Sequence, residues 1–324
     1  MDNPYVFITR KVPEETIQAI REVADVKMWD HEDKPVPRDI LLEEAEQASG
    51  LYTMLTDQID RELLNRAKIL KVVGNLAVGY DNIDLDAATE HNVIVTNTPD
   101  VLTDTTADLA FALLMAAARR VTEAERYIAD GKWVNWSPLL LAGHDIHHKK
   151  IGIVGMGRIG ETVAKRATGF EMDIQYHNRS RNERAEQELG AKYVSFDELI
   201  ETSDFVVNLT PLTPETTGMF NGEVFSKMKK NAIFVNAGRG GSVVEDDLVK
   251  ALEQKELAGA GLDVFEKEPI QKDHPLMKLP NVVCLPHIGS SSIETRMEMC
   301  RLTSRNIRNV LLGEKPETPV NWNR

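Results

Sequence analysis

The sequence predicts an α/β protein built from two doubly wound domains, each with a parallel sheet covered by helices. Two observations predict this fold class: strand and helix signals alternate along two blocks of the chain, and a glycine-rich turn follows the first strand of the second block. The length of 324 residues agrees, because one domain usually holds about 100–200 residues.

The first block covers the first hundred residues. Its strand candidates are Tyr5–Thr9, Gly50–Met54, Leu70–Gly74 and Val93–Val95. Helical spacing runs from Pro13 to Val23. Turn or polar residues bound these segments, as expected for short strands joined by helices.

A long helix separates the blocks. Asp104 or Thr105 can cap it, and apolar residues continue from Ala107 to Ala118. A helix that is apolar on nearly all sides needs burial on more than one face, so we expect part of it to face a second subunit.

The second block predicts six more strands, separated by helical stretches. They are Ile151–Val154, Asp173–Tyr176, Phe205–Leu209, Ala232–Asn236, Gly259–Leu262 and Val282–Leu285. A closing helix at about Ser291–Leu312 is long enough to pack back on the first domain, which makes that domain discontinuous. We therefore expect a substrate domain of residues 1–99 and 289–324, a dinucleotide-binding domain of residues 100–288, and a cleft between them.

Charge and composition narrow the classes of function. Lys and Arg number 38 against 51 Asp and Glu, and the net charge of −13 disfavours binding to nucleic acids. The longest apolar run, Leu109–Ala118, is about half a membrane-spanning helix. Cys284 and Cys300 form no disulfide framework, and the first residues lack a secretory signal. We expect a cytoplasmic protein without membrane or nucleic-acid partners.

The glycine-rich turn is the first functional motif. Gly155-Met156-Gly157-Arg158-Ile159-Gly160 lies between a predicted strand and a predicted helix, which is the context that dinucleotide binding requires. Gly155 permits the tight turn, Gly157 leaves room for the pyrophosphate, and Gly160 lets helix and strand pack closely. This motif indicates a Rossmann-like second domain, and the alternating strands and helices of the first block predict a Rossmann-like first domain as well. The alternative is a purely structural turn.

The end of the next strand bears on the choice of dinucleotide. NAD-selective sites place an acidic residue there, but this chain has Asn178, followed by Arg179, Ser180 and Arg181. Arginine binds phosphate oxygens in pairs, so we expect NADP(H) to be preferred, with NAD(H) possible. A solvated basic loop is the alternative.

Three charged residues follow the later strands. Because ligands bind at the carboxyl ends of parallel strands, Arg239, Glu268 and His287 are expected to converge on the nicotinamide end of the cofactor. His287 suits the role of proton donor to a ketone oxygen, and the neighbouring carboxylate of Glu268 favours the protonated imidazole. Arg239 suits a substrate carboxylate. Taken singly, a surface ion pair or a core histidine would explain these residues as well.

With these motifs in place, the chain resembles the D-isomer-specific 2-hydroxyacid dehydrogenases. The segments that carry the resemblance are Val78–Asp84, Thr106–Leu109, Gly155–Gly160, Pro211–Thr216, Asn236–Gly240, Gly261–Pro269 and Pro286–Ser290. The resemblance implies an Arg–Glu–His catalytic trio at Arg239, Glu268 and His287.

The resemblance also implies binding residues. Cofactor contacts are implied at Thr106, Gly155, Met156, Gly157, Arg158, Ile159, Gly160, Asn178, Arg179, Ser180, Arg181, Thr210, Pro211, Thr216, Ala237, Gly238, Arg239, Asp263, His287 and Gly289. Substrate contacts are implied at Leu76, Val78, Gly79, Arg239 and His287. A homodimer joined through the helix near residues 102–120 is implied as well.

Within this family, the segment Gly131–Pro138 resembles the glyoxylate and hydroxypyruvate reductases, and Trp136 is the candidate for reaching a partner's substrate site. The segments His144–His148 and Tyr176–Arg181 also resemble bacterial 2-ketogluconate reductases. We therefore expect NADPH-dependent reduction of a small 2-keto acid, with 2-ketogluconate or another 2-hydroxyacid as an alternative. A non-catalytic dinucleotide sensor resembling transcriptional corepressors is the alternative from another class.

Other histidines invite a metal site, but we expect no metal. His144, His147 and His148 precede a strand, and hydride transfer needs no metal ion. His31, His91 and His274 lie in polar sequence surroundings and are expected to be solvated.

Overall fold

The computed structural model describes residues 3–322. The chain divides into two compact units, one comprising Met1–Leu102 with Ser292–Arg324 and the other Thr103–Ser291. Each unit is a parallel sheet with flanking helices, so the fold class predicted from the sequence is confirmed. Among the described residues, no helix combines the length and the hydrophobicity needed to span a membrane.

The first unit is a five-stranded parallel sheet of order β2-β1-β3-β4-β5. Its strands are β1 (Tyr5–Ile8), β2 (Asp25–Met28), β3 (Gly50–Thr53), β4 (Val72–Asn75) and β5 (Ile94–Thr96). Its helices are α1 (Gln18–Arg21), α2 (Arg38–Gln47), α3 (Arg61–Arg66), α4 (Leu85–Glu90) and α12 (Ile293–Leu311).

The closing helix α12 packs on β3 and β4 of the first unit. Its approach to the sheet is close: a Cβ atom at Gly74 would stand 2.8 Å from Cδ1 of Ile307. The first unit is therefore discontinuous in sequence, as the long amphipathic helix at the end of the chain predicts.

The second unit is a seven-stranded parallel sheet of order β12-β11-β10-β9-β6-β7-β8. Its strands are β6 (Lys150–Val154), β7 (Asp173–His177), β8 (Lys192–Tyr193), β9 (Phe205–Asn208), β10 (Ile233–Asn236), β11 (Gly259–Leu262) and β12 (Val282–Cys284). Its helices are α5 (Thr103–Ala118), α6 (Val121–Ala129), α7 (Arg158–Thr168), α8 (Glu183–Leu189), α9 (Phe196–Thr202), α10 (Gly222–Lys227) and α11 (Glu245–Glu253).

The apolar helix α5 is buried against the second sheet. It packs on β10, β11 and α7, and a Cβ atom at Gly261 would stand 2.6 Å from Cγ of Leu113. Much of its apolar surface is therefore covered within its own unit, while Met115 remains partly exposed.

The strand order of the second unit indicates where on the sheet a ligand would bind. The chain runs from β6 outward to β7 and β8, then crosses to β9 on the other side of β6. In register, Val154 pairs with His177 on one side and with Asn208 on the other. The loops after β6, β7 and β9 therefore meet at this switch point, where open α/β sheets bind ligands.

Candidate active site

The glycine-rich turn lies between β6 and α7. Gly155 has a φ of +99°, and a Cβ atom there would stand 3.0 Å from the carbonyl carbon and oxygen of Leu209. A Cβ atom at Gly160 would lie 2.2 Å from the carbonyl oxygen of Gly155, so α7 packs directly on the turn. At Gly157, no described atom outside its chain neighbours comes within 4 Å of the Cβ position. This open space beside the start of α7 fits the phosphates of a dinucleotide.

The segment after β7 carries the residues predicted to select the dinucleotide. Asn178 follows the strand directly, and Arg179 and Ser180 are exposed. Arg181 is engaged in an ion pair, with its Nε atom 3.0 Å from Oε1 of Glu186. Arg179 also has an acidic neighbour, because a hydrogen bond from Thr213 and the charge of Arg179 help to hold the pKa of Glu215 below its usual range.

The carboxylate of Asp263 holds the loop that follows β12. Its Oδ1 atom accepts a hydrogen bond from the amide of Ile288, and its Oδ2 atom accepts one from the amide of Gly289, both at 2.8 Å. Thr106 of α5 lies against the same loop, since a Cβ atom at Gly289 would stand 3.2 Å from Cγ2 of Thr106. Burial raises the pKa of Asp263, and the two amides and the nearby His287 only partly oppose this. Asp263 therefore positions the backbone next to His287.

His287 and Glu268 form a hydrogen-bonded pair. The Nδ1 atom of His287 lies 2.8 Å from Oε2 of Glu268, and each side chain is 27% exposed. His287 has a φ of +53°, an uncommon conformation for a residue with a side chain, and its amide donates to the carbonyl oxygen of Asp263 at 2.9 Å. Since Nδ1 faces the carboxylate, Nε2 is the nitrogen left to exchange a proton with a substrate.

The carboxylate of Glu268 is held in its ionised form. Burial raises its pKa, but the hydrogen bond and charge of His287, the amide of Phe265 and the charge of Arg239 outweigh burial and hold the pKa below its usual range. The Phe265 amide donates to Oε1 at 3.0 Å. Glu268 is therefore an acceptor with both oxygens engaged, suited to orienting an imidazole.

The loop that carries Arg239 is fixed by buried amide side chains. Asn236 donates to the backbone carbonyl of Arg239 at 3.0 Å, and the Ser242 hydroxyl donates to the same oxygen at 2.7 Å. The side-chain amide of Asn208 donates to the side chains of both Asn236 and Ser242. The Oδ1 atom of Asn208 accepts from the backbone amide and the hydroxyl of Thr210. This buried network was not predicted. Its signal in the sequence is an asparagine at the end of two neighbouring strands.

The loops of Arg239 and Glu268 are packed backbone to backbone. A Cβ atom at Gly240 would stand 1.8 Å from the carbonyl carbon of Phe265 and 2.5 Å from the amide nitrogen of Glu266. Only glycine permits this approach. It brings the guanidinium of Arg239 close enough to the carboxylate of Glu268 for the two charges to interact. The structure thus brings together the trio predicted from three separate strand ends.

Other predicted cofactor residues line the turn after β9. A Cβ atom at Gly238 would lie 2.7 Å from the carbonyl oxygen of Thr210, so these two loops touch. The Thr216 hydroxyl donates to the carbonyl oxygen of Pro211 at 2.7 Å and thereby closes its own turn. Met156 is buried. Of the remaining predicted residues, Arg158 is exposed, whereas Ile159 and Ala237 are half-buried.

The predicted substrate loop belongs to the first unit and follows β4. Asn97 donates to the carbonyl oxygen of Val78 at 2.8 Å, and Asn75 donates to that of Gly79 at 2.9 Å. The amide of Leu76 donates to the carbonyl oxygen of Thr53 at 2.8 Å. Two asparagine side chains therefore fix the conformation of this loop.

Comparison with known proteins identifies the family. The sequence profile described as "D-isomer specific 2-hydroxyacid dehydrogenase, NAD binding domain" matches residues 111–289. The chain belongs to this family. It is therefore an NAD(P)-dependent oxidoreductase, as the resemblance found in the sequence implies.

Individual known proteins are similar to this chain over nearly its whole length. A glyoxylate reductase of Pyrococcus horikoshii is 48% identical over 322 residues, which cover 98% of this chain and 96% of that protein. The crystal structure of the TT0316 protein from Thermus thermophilus is 44% identical with a TM-score of 0.92, covering 98% of this chain and all of that one.

A third relative was crystallised with a dinucleotide. The NADPH-dependent glyoxylate/hydroxypyruvate reductase of Sinorhizobium meliloti, in complex with NADP and malonate, is 31% identical to this dehydrogenase. Its TM-score is 0.86, and the match covers 98% of this chain and 97% of that one.

Proposed function

We propose that this dehydrogenase reduces small 2-keto acids, foremost glyoxylate and hydroxypyruvate, with NADPH. The hydrogen-bonded pair of His287 and Glu268 next to Arg239, on the sheet that carries the glycine-rich turn, is the observation that carries the proposal. The relatives named as glyoxylate reductases support the substrate class. On this proposal the unit Thr103–Ser291 binds the dinucleotide and the other unit contributes to binding the substrate.

Each member of the trio has a distinct task in this reaction. Bound NADPH supplies a hydride to the carbonyl carbon of the keto acid. Arg239 binds the carboxylate and polarises the carbonyl group, which offsets the charge that develops on the oxygen. Nε2 of His287 donates a proton to that oxygen, and Glu268 holds the imidazole through Nδ1. The product is the 2-hydroxy acid, and His287 regains its proton from solvent.

The preference for NADPH follows from the segment after β7. A carboxylate that would accept from the ribose hydroxyls of NAD is replaced by Asn178, and Arg179 offers an exposed positive charge. The complex of the Sinorhizobium meliloti relative with NADP supports this assignment.

The first unit is proposed to hold the substrate carboxylate through the backbone amides of Val78 and Gly79, whereas the amide of Leu76, also implied by the resemblance, is bonded to the carbonyl oxygen of Thr53 and shapes the loop. The asparagines that bind the carbonyl groups of this loop support the role, because they fix its peptide planes. A loop fixed in advance loses little conformational entropy when it binds a carboxylate.

A homodimer is proposed because exposed apolar side chains accumulate at α6 and after it. They are Val121, Ile128, Trp133, Val134, Trp136 and Leu139. Large exposed patches of this kind mark protein interfaces. Trp136, which is 72% exposed, is the candidate for a contact with the partner's substrate. Sedimentation analysis of the purified protein tests the dimer directly.

The test of the function is a spectrophotometric assay that crosses NADPH and NADH with glyoxylate, hydroxypyruvate, 2-ketogluconate and pyruvate. The proposal expects the highest kcat/KM for NADPH with glyoxylate or hydroxypyruvate. His287→Ala should lower mainly kcat, and Arg239→Ala should strongly lower kcat/KM. Full turnover by His287→Ala would refute the assignment of the acid, and NADPH binding without turnover of any keto acid would refute the reaction.

A further inference from the structure

Glu245 is a buried carboxylate outside the group of Arg239, Glu268 and His287. It is the first residue of α11, and only 8% of it is exposed. Its Oε1 atom accepts a hydrogen bond of 2.7 Å from the backbone amide of Glu266, and its Oε2 atom lies 3.3 Å from Nε2 of His274. Both carboxylate oxygens are thus engaged.

His274 holds the other side of this carboxylate. Its Nδ1 atom accepts a hydrogen bond of 3.3 Å from the amide of Leu276, which leaves Nε2, 3.3 Å from Oε2 of Glu245, as the ring nitrogen that carries the proton. The expectation that His274 is solvated is therefore wrong, since both ring nitrogens have protein partners. The sequence could not show this, because Glu245 is 29 residues away.

The amide that Glu245 holds belongs to the segment that orients the catalytic carboxylate. The amide of Phe265 donates to Glu268, and the next amide, that of Glu266, donates to Glu245. On its other side the peptide between Phe265 and Glu266 is in contact with the backbone of Gly240. A shift of this peptide would move the donor that fixes Glu268.

We propose that Glu245, oriented by His274, is a positioning residue for the reaction. It fixes the peptide between Phe265 and Glu266 and thereby keeps the carboxylate of Glu268 in place behind His287. This inference rests on the proposed function for its kinetic part, whereas its structural part stands by itself.

The electrostatic surroundings of Glu245 indicate which substitution is conservative. Burial raises the pKa of Glu245, and the acidic neighbours Glu266 and Asp246 add to this, while the Glu266 amide and His274 lower it. A neutral acceptor costs less to bury than a carboxylate. Gln at this position can keep the hydrogen bond to the Glu266 amide without the cost of a buried charge, but its NH2 group would face the ring N–H of His274, donor against donor.

The experiment compares Glu245→Ala and Glu245→Gln with the wild type. Glu253→Ala is the control, because Glu253 is exposed and lies at the carboxyl-terminal end of α11. The first readout is hydrogen–deuterium exchange of the peptide that contains the Glu266 amide. The second is kcat and KM for NADPH and the keto acid. We expect Glu245→Ala to speed exchange and lower kcat about tenfold, with both KM values within about twofold, as for the loss of one hydrogen bond. Glu245→Gln should lie between the wild type and Glu245→Ala, and Glu253→Ala should resemble the wild type.

Three results would overturn the proposal: unchanged exchange and kcat in Glu245→Ala, an impairment of Glu245→Gln as large as that of Glu245→Ala, or an equal loss in the control. If Glu245→Ala does not fold, His274→Ala makes the same test, with a rise in exchange expected at the same peptide. Failure of the proposed function is distinguishable, because then the wild type reduces no keto acid while the exchange comparison still decides the role of Glu245.

Discussion

The Nδ1 atom of His287 lies 2.8 Å from Oε2 of Glu268, on a loop whose next two amides are held by Asp263. The imidazole is thus fixed through its ring and through its backbone. In the proposed role of proton donor, an imidazole held in this way needs little reorganisation before the transfer.

Replacement of Glu268 by Gln should lower kcat for reduction about 10–100-fold, because a neutral amide binds and orients the imidazole of His287 less firmly than a carboxylate does. The pKa of Glu268 lies below the usual range, so the wild-type carboxylate stays charged throughout neutral pH. We expect the loss to fall on kcat more than on either KM, since the orientation of the imidazole matters most in the proton-transfer step. Steady-state kinetics check this, and Asp273→Asn, at an exposed site, serves as the control. An unchanged kcat would contradict the role given to Glu268.

The two arginines after β7 make a matched pair for cofactor choice. Arg179 is exposed, whereas Arg181 is bound to Glu186. We expect Arg179→Ser to lower the ratio of kcat/KM for NADPH over NADH about tenfold or more, since a charged hydrogen bond to the 2′-phosphate is lost. Arg181→Ser should change this ratio less. Steady-state kinetics with both dinucleotides decide it, and an unchanged ratio in both variants would remove this segment from cofactor selection.

Two glycines of the turn after β6 should respond in opposite ways to alanine. At Gly157 the Cβ atom enters open space, so Gly157→Ala should keep its Tm but bind NADPH about tenfold or more weakly. At Gly160 the Cβ atom would collide with the carbonyl oxygen of Gly155 at 2.2 Å, so Gly160→Ala should lower Tm. Thermal unfolding without cofactor and fluorescence titration with NADPH separate the two effects. Unweakened NADPH binding by Gly157→Ala would show that the phosphates lie elsewhere.

Much of this architecture is predictable because local sequence determines it. The strands that border Gly155, Arg239 and His287 are short buried apolar runs, and the turn residues that end them are evident without the structure. The strands β2 and β8 were missed. Both lie at sheet edges: β2 alternates polar and apolar residues over only four positions, and β8 has two residues, both exposed, so neither gives a sequence signal long enough to identify a strand.

The contacts that position the trio depend instead on long-range pairing. The bond between Glu245 and Glu266 and the amide network of Asn208 with Asn236 join residues from different strands and loops. Nothing in the local sequence around either residue encodes its partner. The predicted role of Arg181 is likewise modified by an ion pair to Glu186 on α8 that only the fold reveals.

A last prediction concerns the stability of the second unit at the amino-terminal ends of strands β6 and β9. Asp204 accepts a hydrogen bond from the amide of Lys150 and pairs with Lys229, each at 2.9 Å. Burial raises the pKa of Asp204, but these two partners outweigh it and hold the pKa below its usual range. A lowered pKa means that the ionised form stabilises the fold. This contribution is complete above the pKa of an unfolded Asp, about 3.9, and is lost as the pH falls through the lower folded value.

Asp204→Asn should therefore lower Tm by about 2–4 °C at pH 7, and the difference from the wild type should shrink as the pH falls below about 4. Asp197, which pairs with Lys227 but is 67% exposed, provides the control, because exposed ion pairs contribute little. Asp197→Asn should leave Tm nearly unchanged at every pH. Differential scanning calorimetry over a pH series measures both. A loss in Asp204→Asn that stays constant down to the lowest pH would mean that shape, and not charge, holds the start of β6 against β9.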